Sequence, residues 1–266
     1  MKRVQLFEFE DQKWFPDSMR IALTKLIAVI HKWMGMGDLL AGLIKKALHK
    51  SKAEQIVDLG SGAGGSMPQV VEALGRDDNS AQIKMILTDL YPNKEAIKMI
   101  KELDNPMLEY HENSVDATHL ENAPDGLKTM VNSFHHMPPE YARKILKSAH
   151  DSKQSILIYE MAENKIPLVA WWLFLPVSLL ILIIMVLIMT PFVRPLTFQQ
   201  LFFTYIIPVI PIFYAWDGQA SLPRIYALSD FEELTEGLND NYHWEVAPAK
   251  RSNGKQMGYY VLGTPA

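Results

Sequence analysis

The feature that most limits how this chain can fold is a long stretch without charge. From Ile166 to Val193 no residue is charged over 28 positions, and after Arg194 a further 22, Pro195 to Trp216, are also uncharged. A helix crosses the hydrocarbon core of a bilayer with about 20 apolar residues, a length the first run exceeds. The second run is weaker, because Pro208 and Pro211 interrupt it and its dense apolar part, Leu201–Trp216, is short. Together they predict a membrane hairpin, either transmembrane or re-entrant. Pro176, Pro191, Pro195, Pro208 and Pro211 favour the re-entrant form, since backbone groups freed by proline must find partners within protein. A buried core hairpin in a soluble protein is the competing reading, and the run lengths disfavour it.

The remainder of the chain has the texture of a soluble α/β protein. Its 266 residues suffice for one large domain plus an elaboration. The net charge of −4 leaves no footprint for nucleic acid. The absence of cysteine removes disulfides, thiolate metal sites and cysteine nucleophiles. The start, MKRVQLFEFEDQKWFPDS, lacks an apolar core after its basic residues, so no cleaved secretory signal is expected. Met19, Leu23, Leu26, Ile30 and Trp33 fall at helical spacing, and a second helix is expected over Asp38–His49 after the Gly35-Met36-Gly37 break. Lys45, Lys46, Lys50 and Lys52 read as a solvated face.

From Gln55 onward β-rich runs alternate with helical ones. Strands are expected at Gln55–Leu59, Lys84–Thr88, Met107–His111, Lys128–Ser133 and Ser155–Tyr159, with helices at Pro68–Leu74, Lys94–Leu103 and Glu140–Ala149. Such alternation predicts a parallel sheet covered on both faces. Beyond the apolar stretch, Ser229 is expected to cap a helix to about Leu238, with Glu232 at the capping-box position. Strands at Tyr242–Ala247 and Gln256–Leu262 flank Asn253-Gly254, a hairpin signal.

The first strand ends in Val57-Asp58-Leu59-Gly60-Ser61-Gly62-Ala63-Gly64-Gly65. Glycine serves where backbone turns tightly and approaches a ligand closely. The loop fits GxGxG through Gly60, Gly62 and Gly64, and equally the dinucleotide pattern GxGxxG through Gly60, Gly62 and Gly65. The glycines alone do not choose a cofactor.

From about Gln55 to the C-terminus, the apolar stretch excepted, the chain resembles class I S-adenosylmethionine-dependent methyltransferases. The resemblance implies a Rossmann-like, seven-stranded sheet with its last strand antiparallel, N-terminal helices over the cofactor, and S-adenosyl-L-methionine as that cofactor. It implies that Asp58 lies near the methionine ammonium, that Gly60, Ser61, Gly62 and Gly64 form the cofactor loop, and that Asp89, followed by Leu90, binds the ribose hydroxyls. Asp116-Ala117 would lie by the adenine, and Asn132-Ser133-Phe134-His135-His136 would end the fourth strand at the reaction site. The chain then divides into an N-terminal helical lid (1–53), a cofactor-binding core (54–165), the membrane hairpin (166–216) and a closing helix and β-hairpin (217–266).

His135, His136 and Glu160 are the candidate catalytic groups, because imidazole titrates in the useful range and Glu160 ends the fifth strand. Trp14, Phe15 and Arg20 belong to the lid, where core packing is the simpler role for the aromatic residues. Asp217 and Arg224 return the chain to the active-site face, as polar contacts or as a surface salt bridge. His111, His119 and His150 lack ligand spacing, so no metal site is expected. The hairpin leaves from the carboxyl end of a parallel strand, which is the mouth of the site. A membrane-associated methyltransferase is therefore expected, acting on a lipid or other hydrophobic small molecule, with its catalytic domain on the cytoplasmic side. The alternatives are a membrane-anchored NAD(P)-dependent oxidoreductase and a non-catalytic binding module of the same fold.

Overall fold

A computed structural model of the chain describes residues 1, 3–76, 80, 82–163 and 166–266. Residues 164–165, on the core side of the expected hairpin boundary, lie outside the described residues. Five parallel strands form the body of one sheet: β1 (Gln55–Leu59), β2 (Lys84–Thr88), β3 (Leu108–Tyr110), β4 (Leu127–Val131) and β5 (Ile156–Glu160). A closing hairpin of β6 (Tyr242–Lys250) and β7 (Gln256–Pro265) completes the order β3-β2-β1-β4-β5-β7-β6, with β7 antiparallel to β5. Runs such as Ile156-Leu157-Ile158-Tyr159 are apolar on both faces because helices cover both sides of the sheet.

Met36–Ser51 (labelled α2 here, since a helix precedes it), α3 (Met67–Leu74) and α4 (Lys94–Glu102) contribute to the core on one face. Helices α5 (Pro139–Asp151) and α9 (Asp230–Leu234) contribute to the core on the other. Helix α9 stops at Leu234, short of the expected Leu238, and Ser229 makes no side-chain cap. The cap runs the other way: Asp230 accepts from the Ala227 backbone N–H at 2.9 Å.

A third core joins the N-terminal helix to the apolar stretch. Helix α1 (Asp17–Trp33) buries Met19, Leu23, Leu26 and Val29 against Val186, Met189, Val193 and Ile210. The apolar stretch itself folds as α6 (Leu168–Met189), a turn, a short α7 (Phe198–Leu201) continued as a π-helical segment to Ile206, and α8 (Val209–Arg224). Pro208 breaks the second limb, where the two helical pieces bend by 82°. Among the described residues only Leu168–Phe192 forms an unbroken helix long and apolar enough to cross a membrane. Helix α8 runs unbroken through residues 216–217, the boundary expected between the hairpin and the closing segment. Its last two turns reach the carboxyl edge of the sheet.

Candidate active site

The glycine loop is shaped by backbone geometry that side chains resist. Gly60, Gly62, Gly64 and Gly65 all adopt positive φ, between 48° and 90°. At Gly64 the space is also filled, since a Cβ would stand 3.1 Å from Ile100 Cδ1. At Gly62 and Gly65 it would meet nothing within 4 Å, so these two glycines line open space. Asp58 lies beneath the loop. It accepts from Ser61 Oγ at 2.6 Å and Thr129 Oγ1 at 2.7 Å, and burial raises its pKa to about 6. Its role is to brace the loop through Ser61.

Asp89 follows β2 and accepts from the backbone N–H of Gly62 (2.9 Å) and of Tyr91 (2.8 Å), one at each oxygen. Burial raises its pKa, opposed by these bonds. Each carboxylate oxygen keeps further acceptor capacity, which a vicinal diol can use. Leu90 is exposed beside it and its carbonyl accepts from Ser114 Oγ. Asp116 is more open; its Oδ1 takes the backbone N–H and hydroxyl of Thr118, while Ala117 packs against the core. The loop, Asp89 and Asp116 thus share the carboxyl edge of β1, β2 and β3.

Asn132, just after β4, holds a left-handed φ of 51° and accepts from the Met161 backbone N–H at 2.8 Å. That bond turns its amide nitrogen toward His31 Nε2 on α1, 3.5 Å away. His31 is 3% exposed, burial lowers its pKa to about 4, and its Nδ1 has no hydrogen-bond partner. A neutral imidazole from α1 therefore stands at the strand end.

Beyond Asn132, a 3-10 turn presents His135 and His136 to a dense group of charges. Glu160, 1% exposed at the end of β5, accepts the His135 backbone N–H at 3.0 Å and lies 2.8 Å from its Nδ1. This arrangement orients the ring and leaves Nε2 as the nitrogen not engaged by Glu160. His136 is enclosed by Asp11 (2.9 Å), Glu8 (3.2 Å) and Glu10 (3.6 Å), and despite burial these carboxylates raise its pKa to about 9. Arg224, fully buried on α8, stands 2.7 Å from both Glu8 and Asp11. Glu8, His135 and His136 offer ligand-type atoms within 4.8 Å of one another. The Arg224 guanidinium already supplies the cation that Glu8 needs.

Glu8, Glu10 and Asp11 come from an N-terminal strap, residues 3–11, laced along the end of α8. Val4 N–H donates to Pro223 O, Phe9 and Glu10 N–H donate to Asp217, and Ser221 Oγ donates to Glu8. Arg3 donates to the carbonyls of His135 and Arg224, both at 2.7 Å. Asp217 and Arg224 do face the site, and Arg224 is a buried ion-pair centre rather than a surface salt bridge. Phe15 is buried as expected for packing, whereas Trp14 is 64% exposed, contrary to that expectation. Arg20 bonds the carbonyls of Glu10 and Gln12, fixing the turn between strap and α1.

Sequence reasoning missed Glu8, Asp11 and His31. The alternation Phe7-Glu8-Phe9-Glu10 is a strand-like signal that could have drawn attention to the strap. Nothing local distinguishes His31 from any other histidine on a helix. One further cavity, lined by Lys50, Gln55, Lys84, Asp125 and Ser155, lies at the amino ends of the strands. That is the edge opposite the glycine loop.

No protein-family model matches the chain, and no curated protein matches it. Solved structures do. Human N-acetylserotonin methyltransferase in complex with SAM is 12% identical, with 94% of this chain and 57% of that chain covered at a TM-score of 0.53. A SAM-dependent methyltransferase from Aquifex aeolicus is 12% identical over 85% of this chain and 88% of its own, at 0.46. Mitomycin 7-O-methyltransferase is 17% identical over 88% and 55%, at 0.47. The chain thus spans little more than half the length of the human enzyme, and at this identity the likeness is one of fold. Sheet order, the antiparallel seventh strand and the superposition on the human enzyme agree: this chain has the class I methyltransferase fold.

Proposed function

We propose that the protein is a membrane-associated methyltransferase that transfers a methyl group from S-adenosyl-L-methionine to a lipid or other hydrophobic acceptor, with its catalytic domain on the cytoplasmic side. The observation that carries this reading is the placement of the apolar hairpin. It leaves from the carboxyl end of β5 and returns through α8 to Arg224, which touches the residues following β4. An apolar surface therefore adjoins the edge that holds the glycine loop.

The loop fits the cofactor on its own geometry. Gly62 and Gly65 face open space, and Asp89 has acceptor capacity left for the ribose hydroxyls. Gly60, Ser61, Gly62 and Gly64 would carry the methionine portion above Asp58, with Leu90, Asp116 and Ala117 toward the adenine and Asn132 toward the reacting end. When bound, the cofactor supplies an electrophilic methyl group. The protein's part is positioning, with proton removal if the nucleophile is protonated. His135, oriented by Glu160, takes that proton. His136 holds its own proton at neutral pH and serves as the cation that binds the strap.

Calorimetric titration of the detergent-purified protein with S-adenosylhomocysteine and with NADH tests the cofactor. Micromolar binding of S-adenosylhomocysteine alone is expected, followed by labelled methyl incorporation into membrane lipids. Binding of NADH alone would assign the loop to a dinucleotide enzyme, and cofactor binding without turnover would leave a binding module.

A further inference from the structure

We propose that the hairpin enters the bilayer from one side only: its turn, residues 190–199, stays on the same side as the catalytic domain, docked on α1. The proposal rests on the membrane reading above and fixes the topology that the sequence leaves open.

Both ends of α6 are fastened to the catalytic unit. At its start, Trp171 Nε1 donates to Gln219 O on α8, two residues from Asp217, which holds the strap. At its far end, Val186 and Met189 are buried against α1. The turn that follows is fastened too. Lys25 Nζ donates to Pro195 O at 3.3 Å, Gln199 Nε2 donates to Ser18 Oγ at 2.9 Å, and the Trp33 and Phe192 rings meet edge-on at 5.3 Å. Helix α1 is tied in turn to the cofactor loop's own helix, because Gln69 on α3 donates to Ala28 O at 2.8 Å.

A crossing hairpin would carry its turn about 30 Å from the domain, across the hydrocarbon core. Helix α6 is long enough for that, at about 33 Å for its 22 residues. With both ends on the domain, it lies along the surface instead. Helix α1 does not follow the turn across: Gln69 holds it to α3, Asp17, Arg20, Lys25 and Lys32 give it a charge in every turn or two, and the apolar pair it makes with α2 is broken by an 84° bend. The face of α6 directed away from the protein carries Leu173, Val177, Leu180, Ile184 and Ile188, all exposed. Trp14, just before α1, and Trp33, at its end against Phe192, are exposed, as aromatic residues are at the headgroup level. The occupant of this uncharged face is one leaflet of a bilayer.

The absence of cysteine makes a direct test simple. Leu196→Cys reports the turn, Leu180→Cys the outer face of α6, and Lys98→Cys the catalytic domain. Each variant is added to the outside of preformed, sealed phosphatidylethanolamine/phosphatidylglycerol vesicles and treated with a membrane-impermeant maleimide. Leu196→Cys is expected to label within about twofold of Lys98→Cys without detergent, while Leu180→Cys is protected until detergent is added. Labelling of Leu196→Cys only after detergent would overturn the one-sided insertion while leaving membrane association intact. Failure of the unsubstituted protein to float with vesicles, with Leu180→Cys labelling freely, would overturn the membrane reading itself. S-adenosylhomocysteine affinity, measured on each variant, reports separately on the cofactor site.

Discussion

At the scale of single residues, the site's carboxylates differ in what they can still bind. Asp58 spends one hydrogen bond from a side-chain hydroxyl on each oxygen and is enclosed, so it works through the loop. Asp89 is held by two backbone N–H groups at an open edge and can accept more. Asp89→Ala is accordingly expected to weaken S-adenosylhomocysteine binding by about 1.5–3 kcal/mol, the scale of charge-assisted hydrogen bonds. Calorimetry reads this directly, and an unchanged affinity would remove Asp89 from the ribose site. The paired histidines also part company: one ring is oriented by a single buried glutamate, the other is enclosed by three carboxylates.

At the scale of elements, the strap and α8 act as one unit closed by His136. Its folded pKa of about 9 lies above the ordinary 6.5, so its contribution to stability is fully present below pH 6.5 and is lost as pH rises through 9. That contribution is no more than about 3 kcal/mol. Thermal unfolding of the protein should therefore show a falling midpoint between pH 7 and 9.5, and His136→Gln should flatten that slope. A slope unchanged in the variant would place the titration elsewhere. The strap was also the element least legible beforehand. β1, β2 and the closing hairpin could be read because strand periodicity and Asn253-Gly254 are local signals. The strap's alternation Phe7-Glu8-Phe9-Glu10 is too short to place it, because its order comes from Asp217, Ser221 and Arg224, over 200 positions away. The same reason hid His31, whose neighbour Asn132 is 101 positions distant. Asp89 and the glycine loop were legible because turn chemistry confines those residue types to their places.

At the scale of the whole molecule, the exposed apolar face of α6 and the proposed cofactor site are built from different side chains and should separate. Replacing Leu173, Leu180 and Ile184 together by Asp puts three charges on the exposed face of α6, each costing about 2.5–3.5 kcal/mol at depth in a bilayer. Vesicle flotation should be lost while S-adenosylhomocysteine binding stays within about threefold; retained flotation would shift the membrane contact to another surface. The lacing of the strap onto α8 has one more implication, for the order of synthesis. Phe9 waits 208 positions for Asp217, and Arg3 waits 221 for Arg224. The strap leaves the ribosome long before its partners on α8 and is thus among the last segments to dock. The carboxyl edge of the sheet stays unfinished until the hairpin has been made, so a nascent chain stalled before α8 has its glycine loop but not the completed candidate site.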